Sequence, residues 1–101
     1  MDLPPSAQLW RQTLSSLTDL PEIGAVTASQ LVAVGIEDAD ALREVGALEA
    51  FVRIREQLDP GACLQLFTGL ECAVRGIRAK QLSPDDRADL RARFRALPPL
   101  P

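Results

Sequence analysis

Histidine and tyrosine are absent from this 101-residue chain. Without histidine, the chain lacks the side chain that most often serves as a general base near neutral pH and as a ligand for transition metals. Aromatic residues are scarce as well, because one tryptophan and three phenylalanines make up the whole set. The core must therefore consist mainly of Leu, Val, Ile and Ala. Such residues, set among Glu, Arg and Gln, favour helices.

Cysteine is rare, and long apolar runs are missing. If Cys63 and Cys72 lie on one helix, they face opposite sides about 13 Å apart along its axis, too far for a disulfide or a shared metal. We expect two buried thiols in a reducing cytoplasm. No apolar run approaches the roughly 20 residues that span a bilayer, and the N-terminus does not read as a signal peptide. The expected location is therefore the cytoplasm, without membrane contact.

Sequence motifs for catalysis are missing too. The chain holds no Gly-rich phosphate loop, no cluster of metal ligands and no nucleophile beside a base. We therefore expect no enzyme, no cofactor and no small-molecule substrate. A length of 101 residues corresponds to one domain, which buries about two-thirds of the surface that its unfolded chain exposes.

Helix start and stop signals recur along the chain, whereas no stretch alternates apolar and polar residues for long enough to form a strand. Ser6 is predicted to cap a first helix, with Trp10, Leu14 and Leu17 on one face. Further helices are predicted over about 25–34, 38–45, 48–58 and 64–77, followed by a last helix that Ser83 caps and Pro84 begins.

These signals predict an all-α fold, a compact single-domain bundle of five or six short helices. The domain is expected over residues 6–97, with tails at 1–5 and at the Pro-rich 98–101. The helix over 64–77 is expected to be central. The helix before it carries an apolar stripe that is wide enough for the helix to be buried on two sides. This stripe consists of Leu48, Phe51, Val52, Ile54 and Leu58.

Two segments, LVAVGI at 31–36 and LREVGA at 42–47, share the pattern Leu-x-x-Val-Gly-apolar. We interpret Gly35 and Gly46 as the residues that end a helix by adopting a positive φ. The apolar residue after each glycine then folds back on the last turn of the helix.

The segment LPEIG at 20–24 has the outline of a helix–hairpin–helix turn, which often grips nucleic-acid backbone. Such turns usually read apolar-x-Gly-apolar-Gly, because glycine lets backbone amides approach a phosphate. Here Glu22 occupies the place of the first glycine, and its carboxylate repels phosphate. We therefore favour a structural hairpin over the alternative, nucleic-acid contact. Its residues are Leu20, Pro21, Ile23, Gly24 and Thr27, with Leu20 and Ile23 entering the core.

Charge is divided unevenly along the chain. Residues 1–74 contain four bases and eleven acids, whereas residues 75–101 contain seven bases and three acids. On the last predicted helix, an arginine recurs every four residues, at Arg87, Arg91 and Arg95. These three side chains form one row, which we call the arginine row. The candidate contacts with a protein or a nucleic acid are Arg75, Arg78, Lys80, Arg87, Arg91 and Arg95. A solvated face, a protein interface and a nucleic-acid site all remain open, although neither stacking aromatics nor a reading helix is evident.

Glu71 lies at the border of the apolar stripe on the helix over 64–77. A carboxylate in that position needs a partner. The candidates are Arg75, one helical turn away, and the N-terminal amides of a neighbouring helix. We expect a structural role, because no motif supplies the second carboxylate or nucleophile that a catalytic acid needs.

The order of these landmarks resembles the C-terminal domain of the TfoX/Sxy family, bacterial regulators of DNA-uptake competence. The resemblance is carried by LPEIGAVTASQLVAVGIEDADALREVGALEAF at 20–51 and by LECAVRGIRAKQLSPDDRADL at 70–90. Cys72 and Ala79 depart from the family pattern, which commonly has glycine and tryptophan there. The resemblance implies a helical regulatory or interaction domain without catalysis. A protein partner or self-association is favoured, and a nucleic-acid-binding accessory domain is the alternative.

Overall fold

The structure is a computed structural model that describes residues 16–98. Residues 16–18, where the description begins, are helical. The helices that follow are α1 (Ala25–Ala33), α2 (Ala39–Val45), α3 (Ala47–Gln57), α4 (Leu64–Arg75), a 3-10 helix (Ala79–Gln81) and α5 (Pro84–Arg95). No strand occurs between residues 16 and 98, and the all-α prediction is confirmed. The predicted cap at Ser6, the apolar positions Trp10 and Leu14, and the ends of both tails lie outside the described residues.

Helix α4 is central, as predicted. It packs against α2, α3, α5 and the 3-10 helix. The Phe51 ring of α3 lies 5.6 Å from the Phe67 ring of α4 and 5.8 Å from the Phe94 ring of α5, measured between centroids. Phe51 and Phe67 are fully buried. The three phenylalanines therefore join three helices at the centre of an otherwise aliphatic core.

Glycines end α1 and α4 in the same way. After α1, Gly35 has φ +87°, and the amide of the buried Ile36 donates to the Leu31 carbonyl at 2.8 Å. After α4, Gly76 has φ +73°, and the Ile77 amide donates to the Cys72 carbonyl at 3.0 Å. Because these left-handed glycines stop a helix at little steric cost, α4 ends at Arg75, and the prediction that it continues to residue 77 is wrong.

Gly46 differs from the other two glycines because it joins α2 directly to α3. Its φ of +88° confirms the predicted positive value, and its ψ of 158° is extended. The Gly46 amide closes the last turn of α2 on the Leu42 carbonyl, at 2.8 Å, and its own carbonyl accepts from Ala50 in the first turn of α3, at 3.1 Å. The next residue, Ala47, is buried. One glycine therefore turns the chain between two consecutive helices.

Helix α3 buries a narrower face than predicted. Phe51 and Ile54 are fully buried, but Leu48 is 38% exposed and Leu58 is 44% exposed. Leu48 lies about 100° around the helix from the buried Ala47, and Leu58 follows the last helical residue. The expectation of burial on two sides is therefore wrong for both leucines.

Helix α5 begins where its sequence predicts. The Ser83 hydroxyl accepts the Asp86 amide at 3.0 Å, and the Asp86 carboxylate accepts the Ser83 amide at 3.2 Å. Pro84 occupies the first helical position. Leu90 is buried, while Phe94 and Leu97 are half-buried against the core. This reciprocal cap and one apolar stripe set the position of the basic residues on the same helix.

Candidate interaction surface

Glu71 on α4 lies between two arginines. Its side chain is 13% exposed, with one carboxylate oxygen 3.6 Å from Arg75 Nε and the other 3.3 Å from Arg93 Nη2. Arg93 belongs to α5, so this carboxylate joins the two helices. Helical spacing predicted Arg75 as a candidate partner of Glu71. It did not predict Arg93, because 22 residues separate Arg93 from Glu71 and no local pattern links the two.

The two arginines also contact the acids of α5. Arg75 Nη1 lies 3.3 Å from Asp86, and Arg93 Nε lies 3.1 Å from Asp89. The Ser83 amide, together with Arg75, holds the pKa of Asp86 below its ordinary value. The hydrogen bond that Arg75 donates to the Asp86 carboxylate in turn raises the pKa of Arg75. Arg75 is therefore part of an internal ion network, whereas the other five candidate contact residues form no ion pair within residues 16–98.

Helix α5 separates its charges onto two flanks. At about 100° per residue, Arg87, Arg91 and Arg95 fall within an arc of about 80° on one side of the buried Leu90. All three arginines are exposed. The acids of the helix fall on the other side, with Arg93: these are Asp85, Asp86 and Asp89. The flank that carries the arginine row is therefore free of acids from its own helix.

The 3-10 helix extends this basic flank. Arg87 Nη2 donates to the Ala79 carbonyl at 2.7 Å, and the exposed Arg78 and Lys80 adjoin Ala79 in the chain. We define the basic surface as Arg78, Lys80, Arg87, Arg91 and Arg95. None of these five side chains forms an ion pair with a residue between 16 and 98.

In the turn before α1, the side chain of Glu22 contacts the 3-10 helix. Leu20 and Ile23 are buried, at 8% and 6% exposure. Glu22 has φ +66°, the left-handed conformation that glycine adopts most easily, and its Oε1 accepts the Ala79 amide at 3.1 Å. The carboxylate that was expected to repel phosphate therefore binds the chain's own backbone. The structural role of this hairpin stays a prediction.

The other residues of the predicted hairpin are Pro21 in the turn, Gly24 before α1 and Thr27 within α1. Pro21 is half-buried, and Gly24 is the residue that precedes α1, where no side chain caps the helix. Thr27 is half-buried in the first turn of α1. Thr27 lines one cavity together with residues of α4 and with Arg87 of α5.

A cavity of about 680 Å³, which we call the α4 cavity, lies where these elements meet. The apolar part of its lining is Ile23 from the turn and Leu64, Leu66 and Leu70 from α4. Polar groups lie beside them: Glu22, Thr27, Cys63, Gln65, Thr68 and Arg87. Arg87 therefore belongs both to this cavity and to the basic surface. The sequence did not predict the cavity, because its walls come from four separate segments.

The two cysteines have opposite surroundings. Cys72 is fully buried, and burial raises the pKa of its thiol. Cys63 is exposed, because it precedes α4 instead of lying on a buried helical face, and it lines the α4 cavity. The expectation of two buried thiols is therefore wrong for Cys63.

Within residues 16–98, no group of three or more His, Cys, Asp or Glu side chains is arranged to hold a metal ion. Over the same residues, no helix combines the length and apolar character that crossing a membrane requires.

Comparison with known proteins identifies relatives over most of the chain. The family model of the TfoX C-terminal domain matches residues 13–94. The "DNA transformation protein TfoX" of Haemophilus influenzae is 32% identical over 77 residues, which are 76% of this chain and 35% of that protein. The chain thus spans about a third of this curated relative.

Solved structures share the fold. An uncharacterised protein from Listeria monocytogenes, in a triclinic crystal form, is 39% identical with a TM-score of 0.70, covering 74% of this chain and 84% of that one. A protein of unknown function from the same species, in a tetragonal form, is 36% identical with a TM-score of 0.73. That match covers 84% of this chain and 99% of the other.

Proposed function

The chain belongs to the TfoX C-terminal domain family, and from that premise we propose that it is a non-catalytic regulatory module that binds an acidic surface of another protein. The observation that supports this proposal is the separation of charge on α5. Two of the acids on that helix contact Arg75 and Arg93, whereas the arginine row on the opposite flank has no acidic partner within residues 16–98. We propose DNA transformation as the process in which the module acts, after the name of the Haemophilus relative.

The distribution of charge favours a protein over a nucleic acid. The chain carries a net charge of −3, unlike the strongly basic domains that typically bind nucleic acids. The basic surface covers only α5 and the 3-10 helix. Residues 1–74 contain eleven acids and four bases, so the net negative charge of the rest of the chain repels a long polyanion that extends past the basic surface. A limited acidic patch on a protein contacts the basic surface alone.

The phenylalanines also favour a protein partner. Proteins that bind single-stranded nucleic acids stack bases on exposed aromatic rings. Phe51 and Phe67 are fully buried, and Phe94 packs on the ring of Phe51. These rings are therefore occupied in the core and do not offer a stacking platform.

A nucleic-acid-binding accessory domain is the second candidate. It is favoured by the arginine row itself, in which exposed guanidinium groups recur about every 6 Å along α5, a spacing at which they can follow a phosphate backbone. It predicts binding of DNA that weakens steeply as salt rises, because phosphate contacts release counterions.

Two parallel measurements separate these candidates. The full chain is titrated at low salt with duplex and single-stranded DNA, and the immobilised chain is used to capture proteins from an extract of its own organism. We expect salt-sensitive protein capture that Arg91→Glu reduces, with little DNA binding. The matched control is Arg43→Glu, which makes the same charge change at an exposed site outside the basic surface.

DNA binding that Arg91→Glu abolishes would contradict the protein proposal and support the second candidate. The protein proposal also fails if the chain captures nothing and sediments only as a monomer at micromolar concentration.

A further inference from the structure

We propose that the α4 cavity holds an apolar side chain of the acidic partner, so that the partner is an acidic segment with one large apolar anchor. This inference rests on the proposed function and adds to it the chemistry of the partner. It starts from the position of Arg87, which lines the cavity and also begins the arginine row of α5. One bound segment can therefore contact both features.

The cavity has the size and lining that suit an apolar anchor. Its volume of about 680 Å³ exceeds that of any single side chain and lies within the usual range of about 300–1,000 Å³ for binding pockets. Leu64 and Leu66 are only half-buried in its wall, although both pack against the core. An aromatic or aliphatic side chain that covers them removes apolar surface from water, and such filled pockets dominate the energetics of protein interfaces.

The two charged side chains of the cavity determine which part of the partner enters it. Arg87 donates through Nη2 to the Ala79 carbonyl, and its other N–H donors remain for a carboxylate of the partner. Glu22 accepts the Ala79 amide on the same wall and repels a second carboxylate. The anchor inside the cavity is therefore uncharged, and the acidic residues of the segment lie outward, along Arg87 and Arg91.

A nucleic acid fits this arrangement poorly. Its backbone supplies the negative charge for the basic surface, but the bases of a duplex are paired and stacked, so a base enters the leucine-lined part of the cavity only at the cost of unpairing and unstacking. The combination of apolar wall and basic rim matches the general pattern of protein interfaces, in which a buried apolar centre is surrounded by polar contacts.

The test uses the full chain and a short fluorescent peptide in which one tryptophan is flanked by glutamates. In one control peptide alanine replaces the tryptophan, and in the other lysines replace the glutamates. We expect the first peptide to bind and each control peptide to bind at least about tenfold more weakly, since each lacks one of the two contacts.

Two protein variants locate the binding site. Cys63→Trp places a large ring at an exposed position of the cavity lining, so we expect it to weaken peptide binding about tenfold while the fold is kept. Ser29→Trp adds the same bulk at an exposed position of α1 outside the cavity and should leave binding unchanged. Bound peptide should also slow the reaction of Cys63 with N-ethylmaleimide. The buried Cys72 reports any unfolding in the same sample.

The outcomes distinguish this inference from the proposed function. If the peptide does not bind, or binds Cys63→Trp as tightly as the original chain, the cavity is not the anchor site. Protein capture that depends on Arg91 would in that case still stand. If duplex DNA, rather than the peptide, protects Cys63 from N-ethylmaleimide, both proposals fail together.

Discussion

Glu22 combines a backbone conformation that favours glycine with a side-chain contact that glycine cannot make. Its φ of +66° is unfavourable for a residue with a β-carbon. Its carboxylate accepts the amide of Ala79, 57 residues further along the chain, and so ties the turn before α1 to the 3-10 helix. The side-chain contact thus stabilises the domain, while the backbone conformation destabilises it.

Substitution can separate these two contributions. Glu22→Ala loses the contact and keeps the unfavourable backbone, whereas Glu22→Gly loses the contact and relieves the backbone. We therefore expect the glycine variant to be more stable than the alanine variant by about 1 kcal/mol in urea unfolding.

The reverse order is expected at a control position with ordinary helical geometry. At Ser29 in α1, the glycine variant should be less stable than the alanine variant by about 1 kcal/mol. If alanine is the more stable choice at residue 22 as well, the left-handed conformation does not destabilise the turn.

The start of α5 is an element whose stability depends on pH. Ser83 and Asp86 cap each other, and Arg75 on α4 contacts the same carboxylate. These contacts favour the charged form and hold the pKa of Asp86 below its ordinary value of 3.8 in the folded chain. The stabilisation is therefore complete above pH 3.8 and is lost as the pH falls through the lower folded value.

Asp86→Asn should remove this pH dependence. We expect the original chain to unfold at a higher temperature than the variant near neutral pH, and the difference to shrink as the pH falls below 3.8. Thermal unfolding at a series of pH values measures the difference. Asp85→Asn is the control, because the exposed Asp85 forms no ion pair with any residue from 16 to 98. A difference between Asp86→Asn and the original chain that stays constant over this range would contradict the assignment.

For the domain as a unit, the ion network around Glu71 matters because it links the central helix to the helix that carries the basic surface. Arg93 contacts Glu71, and its guanidinium carbon lies 5.4 Å from the centroid of the Phe67 ring. The network thus sits on the aromatic core and helps to fix the rotation of α5. That rotation decides which flank of α5 faces the solvent.

Glu71→Gln should therefore destabilise the whole domain. The carboxylate is 13% exposed but its arginine partners are about one-third exposed, so we expect a loss of about 1–2 kcal/mol, below the value for a fully buried pair. Glu49→Gln removes the exposed pair with Arg53 and should cost less than about 0.5 kcal/mol. Urea unfolding of both variants provides the measurement. Equal losses would show that the Glu71 network contributes no more than a surface ion pair.

Helix ends were predictable wherever a local interaction sets them. The cap between Ser83 and Asp86 spans three residues, and the glycine stop at Gly35 spans five, so the bonds that define these ends lie within one turn of the sequence. The overestimated length of α4 came from counting Ile77 as part of an apolar stripe and overlooking Gly76 as a stop. The family pattern was recognisable because it consists largely of such local signals.

The sequence alone was sufficient for the all-α class, most helix boundaries and the arginine row of α5, because helical periodicity and capping act within one or two turns. Packing decided the features that give this surface its character. Arg93 reaches Glu71, Glu22 reaches Ala79, and Cys63 remains exposed at the α4 cavity. The two contacts join residues that are distant in the chain, and the exposure of Cys63 depends on the segments packed around it. All three features depend on how the helices are oriented, and no local pattern of residues specifies that orientation.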